Sequence, residues 1–253
     1  MKSPGSLYDC NDQLVKKESN NLKLIDPQSI GNINKGKETE NKGLGASELT
    51  GKAGTIALDA ALGIVSSPLR SFPGLLQTLQ VKDNYTRWHV KRVAEISSQL
   101  AKELKLSPVE VKRVEKAAVL HDVGKILTPD KILGNQGPLD DKGWKIMKRH
   151  VTDSVKLLSG VTGGVDDKVK EYVGAHHERW DGKGYPKGLK GDQIPLGAQI
   201  IAIADTYDAI TTDRSYQKGR SKDDALSLMS KLEGQHNPKV LKTFLRMMGY
   251  REN

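Results

Sequence analysis

From about Val81 to the C-terminus, apolar residues recur at the three-and-four spacing of amphipathic helices. Val93, Ile96, Leu100 and Leu104 form one such stripe, and His89, four residues before Val93, lies on the same inward face. Ser107-Pro108-Val109-Glu110 predicts a helix start, with Ser as N-cap, Pro at the first position and Glu closing a capping box. That helix is expected to run to about Val123 and stop at Gly124. A third helix should carry Trp144, Met147, Val151, Ser154 and Leu158, and a fourth should begin near Asp166 and reach His176. After a Gly-rich stretch, Leu196 to Thr212 reads as a long apolar helix. Ser221 and Asn237-Pro238 cap two final helices, the last stopping at Gly249. Strand-like alternation is absent and turns are short, so the fold class is all-α, a helical bundle.

The pattern fails before Val81. Residues 1–50 are rich in Asn, Lys, Ser and Gly with no apolar period, which predicts a mostly disordered tail. Residues 51–80 are apolar but broken by Gly51, Gly54, Gly63, Pro68, Pro73 and Gly74. They are expected to form a short helical or linker segment that caps the domain or meets a signalling-protein partner. Residues 81–253 are then the functional domain.

Composition narrows the classes. A single cysteine, Cys10, excludes a disulfide framework and a thiolate zinc cluster. The N-terminus lacks the apolar run of a signal peptide, and Ala53 to Val65 is too short to span a bilayer, so a cytoplasmic protein with no membrane span is expected. The net charge is +9, yet residues 1–50 hold seven Lys against seven acids, so the excess belongs to residues 51–253. It suggests an anionic partner such as nucleic acid, a nucleotide or phospholipid, although Lys spread along solvated helix faces accounts for most of it. No Lys/Arg block with interleaved aromatics is present, and a nucleic-acid polymer is not expected.

The chain has six histidines, at 89, 121, 150, 176, 177 and 236. Singly, each reads as an ordinary core or surface histidine. Jointly, five of them fall at helix positions that can converge, and Asp122 and Asp205 sit in the apolar runs beside them. A lone carboxylate in IIAIADTYDAI is costly unless paired or bound to a cation. Imidazole and carboxylate without thiolate is a ligand set for hydrolytic Fe, Mn or Zn.

HDVGK (121–125), HHERWDGKGYPKGLKGDQIP (176–195) and ADTYDAITTDRSY (204–216) occur in this order, and together they resemble the HD-GYP domain. That family comprises cyclic-dinucleotide phosphodiesterases of the HD phosphohydrolase superfamily. The resemblance spans about Asn84 to Met248 and implies an HD-type helical bundle. Carried over residue by residue, it implies that His89, His121, Asp122, His150, His176, His177 and Asp205 are metal ligands, with Asp122 bridging two divalent ions, Fe or Mn. It matches Lys125 to a lysine facing the scissile phosphate and Asp208 to an acidic residue near the reaction centre. Tyr185 and Arg214 match residues lining the nucleotide site, Tyr185 by stacking on a base and Arg214 by pairing with guanine or a phosphate.

The implied reaction is hydrolysis of a phosphodiester in cyclic di-GMP to linear pGpG, with Asp208 or Lys125 protonating the departing oxygen. His236 receives no role, and Glu178 is expected to orient a histidine. Two departures stand out. Tyr85 occupies a position where some relatives carry a Glu supporting a third metal, so two metals are expected. Ser215-Tyr216-Gln217-Lys218 follows Arg214 where Pro, Tyr and a basic residue are usual, which bears on the choice between cyclic di-GMP and mixed cyclic GMP-AMP. Two rivals stay open: a phosphohydrolase acting on another nucleotide, and a non-catalytic binding or adaptor protein of the same fold.

Overall fold

The computed structural model describes residues 71–82, 86–135, 137–213 and 218–251. The expectations for residues 1–70, for Tyr85 and for Arg214 to Gln217 lie outside them. The described residues form α1 (Phe72–Lys82), α2 (Thr86–Glu103), α3 (Pro108–Leu120), α4 (Asp130–Leu133), α5 (Asp141–Lys148), α6 (His150–Ser159), α7 (Asp167–Val173), α8 (Leu196–Thr211), α9 (Lys222–Ser230) and α10 (Pro238–Met247). Short 3-10 turns occur at Val123–Leu127 and Gly191–Gln193, and no strand is present among the described residues. None of the described helices is long and apolar enough to cross a membrane.

The axis of the bundle is α8. Every residue from Gly197 to Ala204 is buried, as expected of a helix apolar all round. It packs against α2, α3, α7, α9 and α10. Gly197 lets α7 come close, because a Cβ there would overlap the Tyr172 ring. The C-terminal half of α8 carries Asp205 and Asp208 to the side where α2 presents His89. At the near end of the chain, Leu75 and Leu79 of α1 are fully buried in the same core, and Lys82 Nζ donates to the Ile126 carbonyl at 2.7 Å.

Caps are largely where the sequence put them. Ser107, Ser221 and Asn237 each accept a backbone N–H at the start of their helices. The capping box at α3 is only half made: Glu110 turns its carboxylate to Arg113 and to the Tyr172 hydroxyl (2.6 Å). Three helices end sooner than periodicity predicts. α3 stops at Leu120 rather than Val123, the segment from Trp144 to Leu158 is two helices meeting at Arg149, and α7 stops at Val173, short of His176. Each of these ends has the same cause. The imidazole Nδ1 of His121 donates to Ala118 O (2.7 Å), that of His150 to Met147 O (2.7 Å), and that of His176 to Val173 O (2.6 Å). A side chain thus takes a last-turn carbonyl that a further helical residue would have used.

The turn after α3 is locked to α6 by one hydroxyl. Ser154 Oγ accepts from Gly124 N (2.8 Å) and donates to His121 O (3.0 Å), all of it buried. The approach is so close that a Cβ on residue 124 would overlap the His150 carbonyl. Ser154→Ala leaves both backbone groups unpaired, and by the usual cost of such orphans it should destabilise the protein by about 1–3 kcal/mol. The urea unfolding midpoint of the metal-free variant measures this.

Candidate metal centre

Seven imidazoles and carboxylates arrive from five elements at one buried point. His89 comes from inside α2, His121 and Asp122 from the turn after α3, His150 from the first residue of α6, His176 and His177 from the turn after α7, and Asp205 from α8. Adjacent ring centroids lie 5.3 Å apart for His89–His121, 5.1 Å for His121–His176, 5.1 Å for His150–His177 and 4.2 Å for His176–His177. His121 and His150 are fully buried and His176, His177 and Asp122 nearly so. Their ligand atoms fall into two groups able to hold a cation, His150–His176–His177 and His89–His121–Asp205.

Asp122 stands between these groups. Its Oδ1 is 3.4 Å from His150 Nε2, while its Oδ2 is 3.3 Å from His121 Nε2 and 3.8 Å from His89 Nε2. Lys125, one turn along, places Nζ 2.5 Å from Oδ2. A carboxylate that offers one oxygen to each histidine group has the disposition of a bridging ligand.

The histidines are presented in one tautomer. A carbonyl only accepts, so the Nδ1 atoms of His121, His150 and His176 must carry hydrogen, and in the neutral ring Nε2 keeps a bare lone pair. The Nε2 atoms of His150 and His176 are buried without a hydrogen-bond partner. Each such orphan costs on the order of 1–3 kcal/mol, and a cation at this point satisfies both. Burial, foremost, pushes His150 down to about 4 and holds His176 and His177 well below the usual imidazole value, which keeps all three neutral. His121 moves the other way: burial opposes its charge, but Asp122 and Asp205 prevail and lift it to about 9. Asp122 stays ionised because Lys125 and His121 outweigh its burial. Neutral imidazole donors on one side and ionised carboxylate on the other fit a pair of divalent cations.

Asp208 does not face this point. Its Oδ2 accepts His89 Nδ1 at 2.7 Å, and Arg92 donates to both of its oxygens. It is 1% exposed, and although burial raises its carboxyl, the His89 and Arg92 hydrogen bonds hold it below the usual carboxylate range. An ionised carboxylate engaged on both oxygens has no proton to donate, so the proton-donor role weighed for it from sequence does not suit its place.

The loop after His177 is built as a unit. Tyr185 N donates to His177 O (3.1 Å) and its ring stacks on His177 at 4.9 Å, with Lys148 Nζ 5.3 Å from the ring centroid. With 9% of its surface exposed, Tyr185 is a wall of the histidine cluster rather than an open platform for a base. Glu178 orients no histidine: its two oxygens accept Lys187 N (2.7 Å) and Leu189 N (3.0 Å), holding the return of the loop. Arg179 grips Asp181 and reaches Gln235, while Trp180 N and Asp181 N donate to Gln235 O and Gly234 O. His236 is buried behind this clasp, and burial, with Arg179 nearby, lowers it to about 3. Gly182 is required by its φ of 80°, and Gly184 because a Cβ would overlap the backbone of Glu178 and Arg179. Sequence reasoning missed Arg92, Ser154 and the loop-holding role of Glu178. Only Arg92 left a trace, one helical turn after His89.

A family model described as HD domain matches residues 75–240, and the chain belongs to that family. Within it, the three ordered motifs resemble those of the HD-GYP type. HD domains depend on metal, and the two histidine–aspartate groups are the candidate sites here. A cyclic di-GMP phosphodiesterase of Thermotoga maritima is 37% identical over 169 residues, 66% of this chain and 46% of that protein. A 3'3'-cGAMP-specific phosphodiesterase of Vibrio cholerae is 37% identical over 172 residues, covering 68% and 33% of the two chains. A cyclic di-GMP phosphodiesterase of Pseudomonas aeruginosa is 36% identical over 195 residues, covering 76% and 47%. The chain thus spans less than half the length of these relatives. The fold is shared with Bd1817, an HDG"Y"P protein of Bdellovibrio bacteriovorus (TM-score 0.55, 18% identity, 79% of this chain and 70% of that one). It is shared also with the HD domain of the Listeria monocytogenes phosphodiesterase PgpH (TM-score 0.52, 17% identity, 69% and 94%).

Replacing Glu178 with Gln turns one acceptor into a donor facing a backbone N–H. The loss of a charge-assisted pair, about 1.5–3 kcal/mol, should speed amide exchange at Lys187 and Leu189 by roughly ten- to a hundredfold while metal content stays unchanged. Exchange mass spectrometry with parallel metal analysis reads both.

Proposed function

We propose that this chain hydrolyses a phosphodiester bond of cyclic di-GMP, releasing linear pGpG, with two divalent cations held by the paired histidine groups. The observation that carries the reading is Asp122, buried between the two groups with one oxygen toward each. His150, His176 and His177 would hold one ion and His89, His121 and Asp205 the other, with Asp122 available to both. Fe or Mn suits this imidazole and carboxylate set. Such ions supply charge neutralisation at the phosphoryl oxygens and a means of deprotonating water near neutral pH.

The remaining chemistry belongs to the chain. Asp122, His121 and His150 would hold the ions from positions already fixed by hydrogen bonds, so little reorganisation would be needed as charge develops. Lys125 is buried beside Asp122, where its ammonium faces a phosphate that approaches the bridging carboxylate. It stabilises the phosphoryl charge and donates the proton that the departing 3′ oxygen needs as the bond from phosphorus breaks and water oxygen takes its place. Tyr185 buttresses His177 and, with Lys148, forms the wall along which the dinucleotide enters. Arg214, outside the described residues, is the nucleotide contact implied by the family pattern. Asp208 is assigned to positioning rather than to proton transfer.

A second substrate reading rests on a specific finding: the relatives named for 3'3'-cGAMP are as similar as those named for cyclic di-GMP. Incubating Mn- or Fe-loaded protein with each dinucleotide should yield linear pGpG from cyclic di-GMP, with two cations per chain. Faster turnover of the mixed dinucleotide would reassign the substrate. No turnover of either with both ions bound would leave a binding protein and overturn the proposal. Asp122→Ala should lose both metal and activity. Lys125→Met should keep both ions while kcat falls about a hundred- to a thousandfold, the usual cost of removing one charge-stabilising donor.

A further inference from the structure

Resting on that two-metal reading, we propose that Arg92 and Asp208 are a positioning pair that sets His89 and thereby governs occupancy of the His89–His121–Asp205 group independently of the other. The exception among the histidines points to it. His121, His150 and His176 each fix their ring on a carbonyl at a helix end. His89 lies within α2, where helix carbonyls are engaged by the ladder, so it takes its orienting acceptor from α8, 119 residues away.

The geometry is two i,i+3 pairs facing each other. On α8, Asp205 and Asp208 share a face, and His89 sits between them: Nε2 is 3.5 Å from Asp205 Oδ1, and Nδ1 is 2.7 Å from Asp208 Oδ2. One carboxylate of the helix therefore stands on the ligand side of the ring and the other behind it. On α2, Arg92 follows His89 by three residues and closes on the far side of Asp208. Its Nε donates to Oδ1 and its Nη2 to Oδ2 (3.1 Å), the two-pronged match that guanidinium makes with carboxylate. The same Nη2 donates to Thr212 Oγ1 (3.1 Å), which ties the end of α8 to α2. Asp208 is 1% exposed and Arg92 supplies its counter-charge. A carboxylate behind an imidazole fixes Nε2 as the lone pair and makes it a stronger donor. In the other group, His150 and His176 rely on carbonyls instead.

The experiment uses the full chain loaded with Mn²⁺ and dialysed against a graded chelator, with metal counted by mass spectrometry and the ions observed by electron paramagnetic resonance. Wild type should hold two ions that show a coupled-pair signal. Asp208→Asn should release one ion with affinity lowered about ten- to a hundredfold. The remaining ion should give an uncoupled six-line spectrum with the circular-dichroism spectrum unchanged. Arg92→Lys, which keeps charge but loses the fork, should fall between the two. Two ions held as tightly by Asp208→Asn as by wild type would overturn the inference, reducing the pair to a packing contact. Loss of both ions together from a folded variant would overturn it as well. Wild type binding no Mn²⁺ would instead sink the two-metal reading beneath it.

Discussion

The interaction on which the structure depends is the burial of Asp122. An ionised carboxylate withdrawn from water is costly, and it persists only where charge and hydrogen bonds surround it. Here the counter-charge is Lys125 at 2.5 Å and His121 at 3.3 Å, while the Nε2 atoms of His150 and His89 stand within 3.8 Å, where a cation could lie between them and the carboxylate. These partners come from the turn after α3, from α6 and from α2, so satisfying one carboxylate requires three parts of the bundle to meet. Gly124 and Ser154 make the meeting possible, one by omitting a side chain and the other by pairing the two backbones.

The helix ends serve the same purpose. A terminating helix leaves carbonyls without partners. His121, His150 and His176 fill that role with Nδ1, and the planar ring then projects Nε2 away from the helix. Stability and chemistry thus use opposite edges of one ring. The hydrogen bond that ends the helix also selects the tautomer that can bind a cation. In physical terms, the early ends of α3, α5 and α7 and the convergence of the ligands are one fact.

This explains how much could be read beforehand. The stripe of α2, the caps at Ser107, Ser221 and Asn237, and the apolar course of α8 follow local rules and were legible. So was the convergence of five histidines with Asp122 and Asp205, because imidazoles beside carboxylates in apolar runs are conspicuous. The helix ends were missed because periodicity sees which face is buried, not whether a side chain has taken a carbonyl three residues back. The partners of Asp208 were not legible, because its spacing from Asp205 shows a shared face but not which side of His89 each carboxylate takes. That depends on Arg92, 116 residues away in sequence. The stacking of Tyr185 on His177 was not legible, because it exists only once the loop folds back.

The adjacency of His176 and His177 then has a physical reason. His176 is the last act of α7, bonded to Val173 O, while His177 is the first residue of the loop, its carbonyl bonded to Tyr185 N. The next two side chains diverge: Glu178 holds the return at Lys187 and Leu189, and Arg179 holds Asp181 and Gln235. Four consecutive residues therefore engage a helix end, the histidine cluster, the loop and the C-terminal segment. A displacement of the loop must act on His177 through both its carbonyl and its ring, so the wall at Tyr185 and the ligand it supports move together. Inserting even one residue between the two histidines would separate the helix end from the loop. The ion site would lose the direct register between them.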